Sequence, residues 1–171
     1  MTPKATGACA DGDLRAAVDE PRVVLAGSMA VLHVMIELAE QLRAYGLRPV
    51  VPEADDDPAL WTAEAVTRHK RLVSKLHMDC IRDDRTKALL VANLDRHDTD
   101  NYIGPNTFAE IAVAFADDRP VYLLQDMPAM YEDELRAWGV QCLHGDVGRL
   151  VDAITTVEPA TADRSPQRQA V

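Results

Sequence analysis

The side chain with the most chemical promise in this chain is Glu110. It closes the stretch Asn101-Tyr102-Ile103-Gly104-Pro105-Asn106-Thr107-Phe108-Ala109-Glu110. Two uses of that carboxylate are open. Thr107 and Glu110 have the Thr-x-x-Glu spacing of a capping box, in which the two side chains satisfy free N–H groups at a helix start and no chemistry is involved. Alternatively, Glu110 is a nucleophile or base presented on the first turn of that helix. The helix dipole would favour its ionised form there. A second carboxylate, Asp79, lies between Met78 and Cys80 near the end of another helical segment. The dipole mildly disfavours an acid at that end, so Asp79 either has a task or is an ordinary surface residue. Gly27-Ser28-Met29 directly follows an apolar run. Such a turn either cradles a phosphate or ribose on free N–H groups or is a tight turn with Ser28 capping the next helix.

Other candidates carry less. His69 and His77 sit among basic residues with no partner at metal-ligand spacing, and a surface position is open to either. The acidic segment Glu53-Ala54-Asp55-Asp56-Asp57 lacks the spacing of a calcium loop and reads as solvated. Cys9, Cys80 and Cys142 form no CxxC pair, so neither a zinc site nor a disulfide framework is expected.

The elements that would position these residues alternate in type. Compact apolar runs at Arg22–Ala26, Ala88–Ala92 and Val121–Leu124 read as buried strands. Leu47–Pro52 reads as a short strand that Pro49 assigns to an edge or a strand start. Val140–Leu143 reads as a last strand. Helical spacing runs from Val31 to Leu42, stopped by Gly46, and from Trp61 to about Arg85. It recurs after Thr107 to about 118, from Tyr131 to Trp138 with a stop at Gly139, and from Asp146 to Val157. Strands alternating with helices predict a single doubly wound, Rossmann-like or flavodoxin-like α/β fold, with a parallel sheet flanked by helices. Residues 21–157 are the expected domain. Residues 1–20, despite one possible helical turn at Asp13–Val18, and residues 158–171 read as disordered tails. In such sheets ligands bind outside the carboxyl ends of the strands. The loops at 27–29, 101–107 and Gln125–Pro128 are all expected there.

Composition narrows the partners. With 171 residues and 47% hydrophobic content, one domain with a sizeable core is expected. A net charge of −10 argues against nucleic acid and anionic membrane surfaces. No apolar run approaches membrane-spanning length, and the N-terminus has no apolar export signal. A reducing cytoplasm is the expected compartment.

Three segments together resemble the nucleoside 2-deoxyribosyltransferase-like superfamily, which includes the 2′-deoxynucleoside 5′-monophosphate N-hydrolases. They are Val24–Met29, His77–Ile81 leading to Leu89–Asn93, and Asn101–Ala116 leading to Pro120–Leu124. The likeness extends over about residues 22 to 150. It is nearest to a bacterial and archaeal subgroup with an Asn-Tyr-Ile-Gly-x-Asn-Thr-Phe-x-Glu signature. The resemblance implies that Glu110 is the nucleophile and that Asp79 contacts the sugar or base and assists the leaving group. It implies that Gly27, Ser28 and Met29 line the ribose or 5′ side. Asn101, Asn106 and Thr107 would orient Glu110 or the sugar hydroxyls, Tyr102 would stack or donate a hydrogen bond, and Gly104 belongs to the same loop. A Tyr common near the family's first loop is replaced here by Met29 and Ala30. The implied activity is hydrolysis or transfer at the N-glycosidic bond of a nucleoside or nucleoside 5′-monophosphate, with no metal or cofactor, in a homodimer or larger homo-oligomer. The alternative is a non-catalytic nucleotide-binding or sensing protein with the same pocket.

Overall fold

The computed structural model describes residues 21–53 and 61–156. The two expected tails, Val157 at the end of the expected domain, the turn at Asp13–Val18, Cys9 and most of the acidic segment lie outside the described residues. Five strands form one parallel sheet: β1 (Arg22–Gly27), β2 (Arg48–Val50), β3 (Thr86–Ala92), β4 (Val121–Leu123) and β5 (Gln141–Cys142), in the order β2-β1-β3-β4-β5. Helices α1 (Leu32–Ala44), α2 (Ala63–Arg82), α3 (Pro105–Ala116), α4 (Glu132–Ala137) and α5 (Gly148–Thr156) flank it. This is the doubly wound α/β architecture that the alternating pattern predicts. Pro49 sits on the edge strand β2, where a missing N–H costs no sheet bond.

Side-chain alternation along β1 divides the core in two. Val23 and Leu25 face α1 and α5, packing with Met35, Leu38, Leu42 and Leu150. Val24 and Ala26 face the other way, packing with Cys80 and Ile81 of α2, Ile111 and Ala114 of α3, and Leu135 of α4. Each buried Leu or Ile contributes about 1.5–3 kcal/mol, so these two layers fix where α2 and α3 lie before any polar contact is counted. Stacked rings clamp α3 to the α4 region: Phe108 lies 4.2 Å from Tyr131 and 5.4 Å from Trp138, and Phe115 lies 5.1 Å from Trp138.

Several boundaries differ from expectation. α3 begins at Pro105, not after Thr107, because Gly104 takes the extended N-cap conformation and Pro105 is preset for a first helical turn. A 3-10 turn at Met29–Val31 precedes α1, and Ser28 caps that turn by accepting from the Ala30 N–H. α2 is shorter than its apolar spacing suggests, with Thr62 as its N-cap. Cys80 is disulfide-bonded while Cys142 is a free thiol, which corrects the expectation of no disulfide. Spacing along the chain does not report which thiols approach in space.

At the amino ends of the strands, Arg22 is buried beside Asp83, with Nη1 3.1 Å from Oδ2. The contact is an ion pair by distance and not a directed hydrogen bond, since Nε and Nη1 find no hydrogen-bond partner. Arg85 completes the cluster, its Nη2 donating to Asp83 Oδ2 at 2.7 Å. Hydrogen bonds from Arg85, and then the charge of Arg22, hold the Asp83 carboxyl well below the usual carboxylate range. A depressed carboxyl pKa adds stability that is present above the unfolded value near ~3.9 and is lost as pH falls. Asp83→Asn should therefore destabilise the protein by about 1–3 kcal/mol at neutral pH. The gap to wild type should close below about pH 4 in denaturant unfolding followed across pH.

Candidate functional site

The sheet order reverses between β1 and β3, and the crevice at that point opens beyond their carboxyl ends. The two strand ends approach closely there: a Cβ on Gly27 would stand 3.1 Å from the Ala92 carbonyl oxygen. A cavity of about 230 Å³ occupies the crevice. Gly27, Ser28 and Met29 line it from β1, and Tyr102, Gly104, Asn106 and Thr107 line it from the approach to α3. All of these are among the sequence-expected residues. The first N–H groups of α3 face no intrahelical acceptor, and Gly104 supplies no side-chain cap, so the Asn106 and Thr107 amides come to the cavity with their donor capacity unspent.

The loop between β3 and α3 is built, not slack. Arg96 and Thr99 exchange two backbone hydrogen bonds of 2.9 Å around His97 and Asp98, both with positive φ. That is a miniature hairpin with a primed two-residue turn. Asp95 Oδ1 accepts from the Asn101 N–H at 2.9 Å, and the Tyr102 N–H donates to the Leu94 carbonyl. Asn101, also at positive φ, thus shapes the loop and is not part of the cavity lining. The hairpin delivers Arg96 to the cavity, where its guanidinium donates to the Ser28 hydroxyl. Arg96 is a site residue that sequence reasoning missed, because a lone Arg in a polar loop has no distinguishing pattern.

Glu110 lies one turn along α3 from Thr107. It does not serve in a capping box, because α3 starts at Pro105 and places Glu110 in its second turn. Its carboxylate turns instead to α2: Oε1 is 2.8 Å from His77 Nδ1, and the two side chains are 12% and 7% exposed. The opposite ring nitrogen, His77 Nε2, donates to the Leu25 carbonyl at 3.1 Å. Among the described residues no hydrogen bond reaches Glu110 Oε2. His77 is therefore buried, and the surface position open to it from the sequence is not the one it takes. It continues the buried stripe of Cys80 and Ile81, three and four positions on, and that spacing is the sequence signal that marks it.

Asp79 is not brought to this cluster. Two positions beyond His77 on a helix is roughly 200° around its axis, and Asp79 is exposed on the outer side of α2. The loop after β4 does reach the crevice. Fully buried Asn93 donates from Nδ2 to the Asp126 carbonyl at 2.7 Å and accepts the Gln125 N–H on Oδ1 at 2.9 Å. Cys142 offers no competing nucleophile, since burial, followed by the charge of Asp126, pushes its thiol pKa up.

The chain matches no protein-family profile and no curated protein. Among solved structures one match is the CMP N-glycosidase BcmB of Clostridium botulinum, at TM-score 0.47 and 19% identity, covering 79% of this chain and 98% of that one.

The Asn93 staple makes the crevice depend on a single side chain. Asn93→Ala should leave the Gln125 N–H and the Asp126 carbonyl without their partner and cost about 1–3 kcal/mol. Guanidinium unfolding and hydrogen exchange at Gln125 measure the loss.

Proposed function

We propose that this protein cleaves the N-glycosidic bond of a nucleoside 5′-monophosphate, with Glu110 as nucleophile and water as the final acceptor. One observation carries the reading: Glu110, one helical turn on from the cavity-lining Thr107, is withdrawn from bulk water, tied through one carboxylate oxygen and, among the described residues, uncommitted through the other. A carboxylate that only supported its helix would be spent on backbone N–H groups. The sequence resemblance of Asn101–Ala116 supplies the reaction class.

The chemistry balances without a cofactor. Glu110 Oε2 attacks C1′ of the sugar, the C1′–N bond breaks, and its electron pair leaves with the base, which takes a proton from water. Positive charge growing on the sugar in this transition state is stabilised by the same carboxylate. A water molecule then attacks C1′, the ester bond returns its electrons to Glu110, and the remaining proton passes to solvent.

Preference for a monophosphate over a nucleoside rests on the lining. Arg96 is its one charged side chain among the described residues, and the free amides at the start of α3 add partial positive charge. A space of about 230 Å³ suits a sugar with its phosphate, leaving the base toward the open side. Among the described residues the lining itself carries no carboxylate, and this favours the second reading, a nucleotide-binding protein without turnover.

Free base released from a panel of nucleosides and 5′-monophosphates separates the two. In the enzyme reading, Glu110→Gln lowers release by about 10²–10⁴-fold with the fold unchanged by circular dichroism. Tight nucleotide binding without release in the wild type supports the binder. Arg96→Gln removes a charge-assisted contact worth about 1.5–3 kcal/mol. The ratio of kcat/KM for monophosphate over nucleoside should fall accordingly, by roughly ten- to a hundredfold.

A further inference from the structure

The geometry points to His77 as the positioning residue that returns Glu110 as a carboxylate in the second half of the reaction; this rests on the glycosidase reading above. Carbonyl oxygens only accept hydrogen bonds, so the contact with Leu25 assigns a proton to His77 Nε2. The ring is thereby committed at one end. Its other nitrogen, Nδ1, faces Glu110 Oε1 at 2.8 Å, a distance at which a bare nitrogen lone pair and a bare carboxylate repel. One proton must therefore lie in the Nδ1–Oε1 contact. For Oε2 to attack, the carboxyl must be ionised, so in the reacting state that proton sits on Nδ1 and the ring is an imidazolium.

The mechanical consequence is a fixed rotamer. Leu25 is the β1 residue just beyond the point where pairing with β2 stops at Val24. His77 is anchored there on the sheet and holds Oε1, leaving Oε2 as the oxygen that forms the bond to C1′.

The chemical consequence differs between the two steps. A hydrogen-bond donor at Oε1 stabilises the carboxylate and so moderates its attack. Once Oε2 is esterified, the negative charge facing the imidazolium is gone. When water attacks C1′, the C1′–Oε2 bond breaks, its electrons return to the carboxylate, and the cation regains its partner. His77 therefore speeds loss of the sugar from Glu110 more than its arrival. Its proton stays on Nδ1 throughout, and the attacking water gives its proton to solvent.

The test compares wild type, His77→Leu, His77→Asn and His77→Gln, with base release and intact-protein mass recorded during turnover of the preferred monophosphate. Asn places an N–H donor where Nδ1 stands; Gln reaches the Leu25 carbonyl instead. The expected result for His77→Leu is a kcat lowered about ten- to a hundredfold, a KM that falls with it so that kcat/KM is nearly unchanged, and a sugar adduct accumulating on Glu110. His77→Asn should keep more activity than His77→Gln, an order that decides the matter even when His77→Leu does not fold. Nitrogen-15 NMR of the wild type should show a protonated Nε2 and a proton in the Nδ1 contact, the latter lost in Glu110→Gln. An unprotonated Nε2 overturns the proposal. Unchanged kcat in a folded His77→Leu, or Gln outperforming Asn, overturns it while leaving the glycosidase reading intact. Absence of base release from the wild type overturns both.

Discussion

A carboxylate taken out of water must be compensated where it lies, and the site follows from how this chain meets that demand for Glu110. Leaving a buried charge unpaired costs several kcal/mol, comparable with the burial of one or two large apolar side chains. The compensation comes from a single imidazole, and that imidazole is held by the sheet. Helix α3 supplies the acid, α2 the partner and β1 the anchor, so the three elements are bound to one mutual arrangement. The apolar layer beneath them, built from Val24, Ala26, Cys80, Ile81, Ile111 and Ala114, brings the helices to that separation.

Charge is distributed unevenly over the molecule, and the distribution has a direction. At the amino ends of the strands, Arg22 and Arg85 share the one carboxylate of Asp83. At the carboxyl ends, Arg96 donates to a neutral hydroxyl and keeps its charge available. A chain of net charge −10 repels anions at long range. Within the crevice, the guanidinium and the uncapped start of α3 reverse that sign locally, over distances shorter than the ~8 Å screening length at physiological salt.

Much of the architecture is legible along the chain because it depends on local repetition. Strand residues Ala88–Ala92 are buried on both faces and read as a continuous apolar run; Pro49 announces an edge; Gly46, with φ of +76°, ends α1 where no larger residue sits easily. The loops that reach the crevice are also legible, since in a parallel sheet every strand-to-helix connection emerges on one side. The capping-box reading of Thr107 and Glu110 failed for a local reason as well. Gly104 and Pro105 start the helix three residues early, which moves Glu110 past the reach of the free amides. Asp79 and His77 exchanged standing because a two-residue difference on a helix reverses the side on which a residue emerges.

What the sequence determined by itself is the set of elements, their alternation and hence the doubly wound sheet, and the stretch of chain that must border the crevice. These follow from hydrophobic period and from backbone preferences of Gly and Pro, both of which act within a few residues. What only the tertiary structure decided is which polar groups meet. His77 is 33 residues from Glu110 and 52 from Leu25, and Arg96 is 68 from Ser28. No period or propensity spans such separations, because these pairs come together only when two helices are laid on the same face of a sheet whose strand order is itself non-sequential.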